Sequence, residues 1–153
     1  MSNCVHLITV GKLKNKELES IEANYAKRIN SPNLKIYEVK AKAENKEAEG
    51  KVVISKLNEL SKNSKTFSVV LTEWGTEYTS LNFSKFLFSK ISKSMNVVFI
   101  ICGAEGPSQE LLDYCDSKIS LSKLTFPHKI ARLLFIEQLY RAITIENNHP
   151  YHN

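Results

Sequence analysis

Cysteine is scarce in this chain, and the three present, Cys4, Cys102 and Cys115, are odd in number, widely spaced and form no CxxC pair. That pattern argues against a disulfide framework and against a zinc site, so the thiols read as reduced and no metal is expected. Glycine and proline are also sparse, at five and four residues, too few for a low-complexity or disordered segment. No run approaches the ~20 apolar residues of a membrane span. The opening MSNCVHLITV lacks the basic-then-apolar order of a secretory signal, and a cytoplasmic protein is expected. Neither the dinucleotide fingerprint GxGxxG nor the phosphate loop GxxxxGK[ST] occurs, which removes support for nicotinamide cofactors and nucleotide hydrolysis.

What is present is ordinary for a folded domain: 153 residues, 42% hydrophobic and 24% charged. That length supports one sizeable core and not two, so residues 1–153 are taken as a single domain. The net charge of +5 favours an anionic partner, and phosphate backbones attract such surfaces without specificity.

Hydrophobic periodicity alternates between strand and helix along the chain. Residues 5–10 (VHLITV) read as a buried strand ended by Gly11, after which Leu18, Ile21, Tyr25 and Ile29 recur at helical spacing. A second strand is predicted over 34–39, beyond the turn residues Ser31, Pro32 and Asn33. Residues 40–50 follow as a solvated loop or helix start, then a helix carrying Ile54, Leu57 and Leu60. A third strand is expected over 67–71 and a loop over 72–79 around Gly75. Ser80 is a plausible N-cap for a helix presenting Leu81, Ser84, Leu87 and Ile91. Residues 97–102 (VVFIIC) are apolar throughout and do not alternate, which suits a central parallel strand covered on both faces. A short helix over 109–114, a strand over 118–121 and a long helix opened by Pro127 complete the pattern. The last helix carries Ile130, Leu133, Leu134, Ile136, Tyr140 and Ile143, more apolar positions than one buried stripe needs, and the surplus suits a partner surface. The alternation implies an α/β layer fold with a mostly parallel sheet and helices on both faces, in which ligands bind beyond the carboxyl ends of the strands.

Two loops at that edge carry the chemistry. Cys102-Gly103-Ala104-Glu105-Gly106-Pro107 follows the most buried strand, and its glycines permit either close approach to a ligand or simply a tight turn. Residues 120–128 (SLSKLTFPH) follow the last strand and supply hydroxyls and backbone donors suited to adenine and ribose, while Thr125 also suits a helix cap. On the last helix His128, Arg132, Glu137 and Arg141 interrupt the apolar pattern. Glu137 and Arg141 stand four apart, the spacing of an ordinary intrahelical ion pair. The ending NNHPYHN has no helical signal and would ordinarily fray.

FIICGAEG, SLSKLTFPHKIARLLFIEQLYRA and NNHPYH, with GKLK and VVLTEWG earlier in the chain, closely resemble the SPOUT-class methyltransferases that modify pseudouridine at N3 in large-subunit ribosomal RNA. The resemblance implies an α/β fold with a C-terminal trefoil knot, S-adenosylmethionine as cofactor, a homodimer, and ribosomal RNA on the ribosome as substrate. It implies cofactor contacts at Leu71, at Cys102, Gly103 and Gly106, and at Leu121, Ser122, Lys123, Leu124, Thr125 and Phe126. Cys102 stands where relatives commonly have a glycine, and Thr72 where they often have an aspartate. N3 of the base carries a proton that must leave, and His128, Tyr151 and His152 could handle it, with Arg132 or Arg141 holding phosphate or developing negative charge. A SPOUT enzyme with another RNA target, and a catalytically silent RNA-binding assembly factor, remain the alternatives.

Overall fold

In the computed structural model, which describes residues 3–153, the continuous apolar run becomes the middle strand of a five-stranded parallel sheet. Met1 and Ser2 of the expected domain lie outside the described residues. The elements follow in the order β1 (Cys4–Val10), α1 (Lys16–Ala26), β2 (Asn33–Val39), α2 (Lys46–Leu60), β3 (Thr66–Glu77), α3 (Ser80–Ile91), β4 (Asn96–Ile101), α4 (Gln109–Tyr114), β5 (Ser117–Ser120) and α5 (His128–Glu146). The strand order is β2-β1-β4-β3-β5, with every ladder parallel. Parallel neighbours need crossover connections, and the helices between the strands supply them.

Side chains alternate across the strands, and each face has its own apolar layer. Val5, Leu7, Val69, Val97, Phe99 and Ile119 pack on one face with Leu87 of α3 and Phe135, Ile136 and Leu139 of α5. Ile8, Val10, Val70, Val98 and Ile100 pack on the other with Val53 and Leu57 of α2 and Leu111 of α4. The rings of Phe99 and Phe135 lie 4.6 Å apart, joining the central strand to α5, and burial of each contributes roughly 1.5–3 kcal/mol. The hydroxyl of Ser84 donates to the carbonyl of Ala142 at 2.7 Å, so α3 and α5 are also tied by a buried hydrogen bond.

Several expectations need correction. Residues 72–79 are not a loop, because β3 runs on to Glu77 and both Leu71 and Thr76 pair with Ile119 across a bulge. Gly75 makes this possible, since a Cβ there would lie 2.6 Å from the backbone of Ile119. The bulge leaves Trp74 84% exposed. Thr79, not Ser80, caps α3, its hydroxyl accepting from the amide of Asn82 at 3.1 Å. Leu81 faces solvent, and Phe83 takes the buried position instead. Thr125 does not cap α5; Pro127 occupies that position without a side-chain hydrogen bond. On α1 Ile21 is exposed, and the buried residue is Glu22.

His6 on β1 is buried beside Tyr37, with ring centroids 5.6 Å apart, and its Nδ1 finds no hydrogen-bond partner among the described residues. Burial, reinforced by the nearby charges of Lys35 and Lys56, lowers its pKa to about 4 from an ordinary 6.5. The folded chain therefore keeps His6 neutral while the unfolded chain takes up a proton. The associated stability is complete above pH 6.5 and is lost as pH falls from there toward about 4. At ~1.4 kcal/mol per tenfold change in proton affinity the loss approaches roughly 3 kcal/mol. Urea unfolding should show wild type losing stability relative to His6→Leu as pH falls from 6.5 toward about 4, and a difference between the two that does not change with pH would contradict the assignment.

Candidate active site

The carboxyl edge of the sheet carries one roomy cavity, of about 270 Å³, near the lower end of the range of ligand pockets. Leu71 and Ile119 form its floor with Phe83, Phe99 and Phe135, and Leu121 and Phe126 come from the loop between β5 and α5. Its polar groups are few: Thr79 and Ser80 at the start of α3, Ser120 at the end of β5, and Gln138 on α5. Apolar walls with a few convergent hydroxyls and one amide suit a flat heterocycle with an attached sugar.

The resemblance-derived positions fall into separate groups. Leu71, Leu121 and Phe126 line the cavity together. Ser122 braces its own loop: its carbonyl accepts from the hydroxyl of Ser120 at 2.8 Å, and its hydroxyl accepts from the amide of Leu124 at 2.9 Å. Lys123, Leu124 and Thr125 are exposed, with Lys123 3.8 Å from the carboxylate of Glu77. Cys102, Gly103 and Gly106 sit at the same sheet edge but outside this cavity. Cys102 and Gly106 line a tightly filled spot with Val10 and Glu49, and a Cβ at Gly103 would meet the Glu49 carboxylate at 3.2 Å. Gly106 has φ +76° and open space where a Cβ would stand, so there glycine serves the turn. Burial, with Cys115 and Glu49 nearby, pushes the Cys102 thiol up to about 12, and it stays protonated.

Arg132 was expected to hold phosphate or developing charge, but its guanidinium is occupied. Its Nε and one terminal nitrogen donate to the two oxygens of Glu22 at 2.7 and 2.9 Å, and the other donates to Glu38 at 2.7 Å and to the Thr9 hydroxyl at 3.2 Å. Arg132 is 6% exposed. Desolvation works against its charge, but the bonds and attraction of Glu22 and Glu38 outweigh it and raise its pKa above the ordinary arginine value. His128 lies one turn earlier and lines a small recess with Gly11, Lys12, Lys129 and Arg132.

The tail is not frayed. Tyr151 packs edge-on against Tyr140 at 4.8 Å, lies under the Arg141 guanidinium at 4.9 Å, and donates its hydroxyl to Glu137 at 2.8 Å. His152 Nδ1 is 3.1 Å from Arg141. Arg141 of α5 and Tyr151 and His152 of the tail are thus brought together, while His128 and Arg132 are apart from them. The Glu137–Arg141 pair forms as its spacing predicts, at 2.7 Å.

Glu22, Glu38 and Gln138 were missed. Glu22 had a signal: with Leu18, Tyr25 and Ile29 it falls on one helical stripe, so a carboxylate stands where an apolar residue was due. Glu38 and Gln138 carry no comparable mark.

A family model described as "Predicted SPOUT methyltransferase" matches residues 4–152. The chain belongs to the SPOUT methyltransferase family. Proteins called ribosomal RNA large subunit methyltransferase H are similar over nearly their whole length: one from Christiangramia forsetii is 35% identical, covering 97% of this chain and 98% of that protein. Another, from Prochlorococcus marinus, is 41% identical over 99% of each. Among solved structures, the SpoU methyltransferase AviRb from Streptomyces viridochromogenes, in complex with AdoMet, superposes with a TM-score of 0.56 at 11% identity, over 97% of this chain but 60% of that one. A probable methyltransferase from Bordetella pertussis Tohama I gives 0.55 at 11% identity, covering 93% and 95%. These two likenesses establish a shared SPOUT fold.

In this SPOUT methyltransferase the Arg132 cluster is expected to carry stability. Arg132→Met leaves Glu22 buried without a counter-charge, and breaking such a pair costs about 3–5 kcal/mol. Chemical denaturation should show a loss of that size; an unchanged midpoint would return Arg132 to the list of free cations.

Proposed function

We propose that this protein is an S-adenosylmethionine-dependent methyltransferase acting on N3 of a pseudouridine in large-subunit ribosomal RNA, as a cytoplasmic homodimer whose substrate is the ribosome. The observation that carries this reading is similarity of 35–41% over nearly full length to relatives bearing the ribosomal RNA methyltransferase name. The cavity at the carboxyl edge of the sheet supports it. Leu71, Leu121 and Phe126 would hold the adenine, and the hydroxyls of Ser80 and Ser120 with the Gln138 amide would take the polar parts. The knotted threading of the last third of the chain belongs to the same proposal. Homodimer formation is favoured by Ile130 and Leu134, apolar residues one turn apart on α5 that are 38% and 39% exposed.

When bound, the cofactor supplies a methyl group activated by its sulfonium, and the protein supplies alignment. The target base must leave its stack, and an aromatic ring such as Tyr151 can receive it. Arg141 would stabilise negative charge developing on the base, with His152 beside it to take the proton. The Tyr25 hydroxyl, 3.5 Å from that of Tyr151, has the largest influence, and with desolvation and the Glu137 carboxylate it raises the Tyr151 pKa above its ordinary value. Tyr151 is thereby a donor and a stacking surface, not a base. Arg132, paired with Glu22 and Glu38, is left out of the chemistry.

Incubation with ribosomes and labelled S-adenosylmethionine, followed by mass spectrometry of the RNA, should find one methyl group on a large-subunit pseudouridine. Label on transfer RNA alone would favour a different target within the family, and no label with no cofactor binding would favour a silent RNA binder. Removing residues 151–153 should leave cofactor affinity within several-fold and lower transfer at least ~100-fold, the effect of a lost proton-handling group.

The glycine loop can be tested separately. Gly106→Arg places a long side chain where the space is open and the backbone conformation favours glycine. If the glycine loop borders the cofactor, as the family resemblance implies, calorimetry should show affinity weakened at least ~10-fold. An unchanged dissociation constant would confine the cofactor to the cavity walls.

A further inference from the structure

The mechanism above uses Arg141, Tyr151 and His152, yet none of these holds itself in place. Arg141 and Tyr151 are gathered by one carboxylate. Glu137 accepts from Arg141 Nε at 3.4 Å and from its terminal nitrogen at 2.7 Å, from the Tyr151 hydroxyl at 2.8 Å, and from the Gln138 amide at 2.9 Å. His152 then leans on Arg141 at 3.1 Å. A tail with no helix or strand ladder of its own depends on such contacts for order.

Gln138 extends the chain of hydrogen bonds to the cavity. Its amide nitrogen donates to Glu137, while its amide oxygen accepts from the hydroxyl of Ser80 at 2.7 Å. Ser80 and Gln138 both line the cavity. A continuous path therefore runs from the cavity wall through Gln138 and Glu137 to Arg141 and Tyr151.

An i, i+4 pair on a solvated helix contributes a few tenths of a kcal/mol and is interchangeable with other pairs. Glu137 differs in two respects. Its side chain is only 18% exposed, and both of its oxygens are used by donors from three residues. Burial alone would raise its pKa, but the bonds from Arg141 and Tyr151 outweigh it and hold the carboxyl below the ordinary range. It remains an acceptor at neutral pH.

We infer that Glu137 is a positioning residue for methyl transfer, fixing Arg141 and Tyr151 relative to the cavity through Gln138. The inference rests on the role proposed above for the tail. Glu137 touches neither cofactor nor base on this account; it acts through the groups it holds.

The test is Glu137→Gln, which keeps the shape but removes the charge and turns one oxygen into a donor, beside Glu137→Asp and Tyr151→Phe. Calorimetry with S-adenosylmethionine, single-turnover transfer on ribosomes, and hydrogen exchange over residues 147–153 are measured on each. Glu137→Gln should bind the cofactor within several-fold of wild type, exchange faster in the tail, and transfer methyl roughly 10- to 100-fold more slowly, the range for losing a hydrogen bond to a charged group. Glu137→Asp should recover part of that rate. Tyr151→Phe, which removes only one donor to Glu137, should show the same tail exchange in smaller degree, and it serves if the Glu137 variants do not fold. Wild-type transfer and exchange in Glu137→Gln, with transfer abolished in the chain lacking 151–153, would overturn this inference alone. Wild-type transfer in that truncated chain would overturn the tail's role itself.

Discussion

A guanidinium removed from water has to be met by charge, and Arg132 is met by two carboxylates from two other elements, Glu22 of α1 and Glu38 of β2. The observed placement of α1, β2 and α5 satisfies its nitrogens at 2.7–2.9 Å together. Everything farther along α5 depends on that placement. Three residues on, Phe135 enters the core against Phe99; then Gln138 reaches the cavity, and Glu137 and Arg141 meet the tail. A buried pair of this kind adds little net stability compared with a well-packed apolar substitute, but breaking one side of it is costly. Its contribution here is orientation of the helix that carries the cavity wall and the tail.

The sheet sets where ligands can sit. With every strand parallel, the loops after β3, β4 and β5 leave the same edge, and the residues named from the family resemblance lie along it. The open space is unevenly shared: Leu71, Leu121 and Phe126 surround the cavity, while Cys102 and Gly106 border a spot already filled by Val10 and Glu49. Apolar walls with a few polar groups on α3, β5 and α5 give a site that can hold a heterocycle and orient it. Among the described residues no three His, Cys, Asp or Glu side chains group as metal ligands, and no helix is long and apolar enough to cross a membrane.

Much of the fold was legible in the residues. The run VVFIIC marked the central strand because only a strand covered on both faces can be apolar at each position, and α4 was expected over the span Gln109–Tyr114 it occupies. The extension of β3 was not legible. Glycine in TEWGTE reads as a turn, whereas its role is to let two backbones approach, and that depends on where Ile119 lies in space. The buried Glu22 was overlooked because periodicity counts apolar residues and its partners are distant in sequence. For the site, the candidate residues came from the family resemblance and from the polar residues that interrupt the last helix, and Arg132 and Arg141 look alike in sequence. Only the three-dimensional positions of Glu22, Glu38 and Tyr151 distinguish a buried clasp from a cation beside the tail.

We propose that the cavity between β3, β5 and α5 is the cofactor pocket and that the tail, linked to its wall through Gln138 and Glu137, acts on the group bound there. A crystal structure of the protein with S-adenosylmethionine tests it most directly. The expected result is adenine enclosed by Leu71, Leu121 and Phe126, with Arg141 and Tyr151 facing the methyl donor. A cofactor bound elsewhere, or one whose methyl group faces away from every C-terminal tail in the crystal, would overturn it.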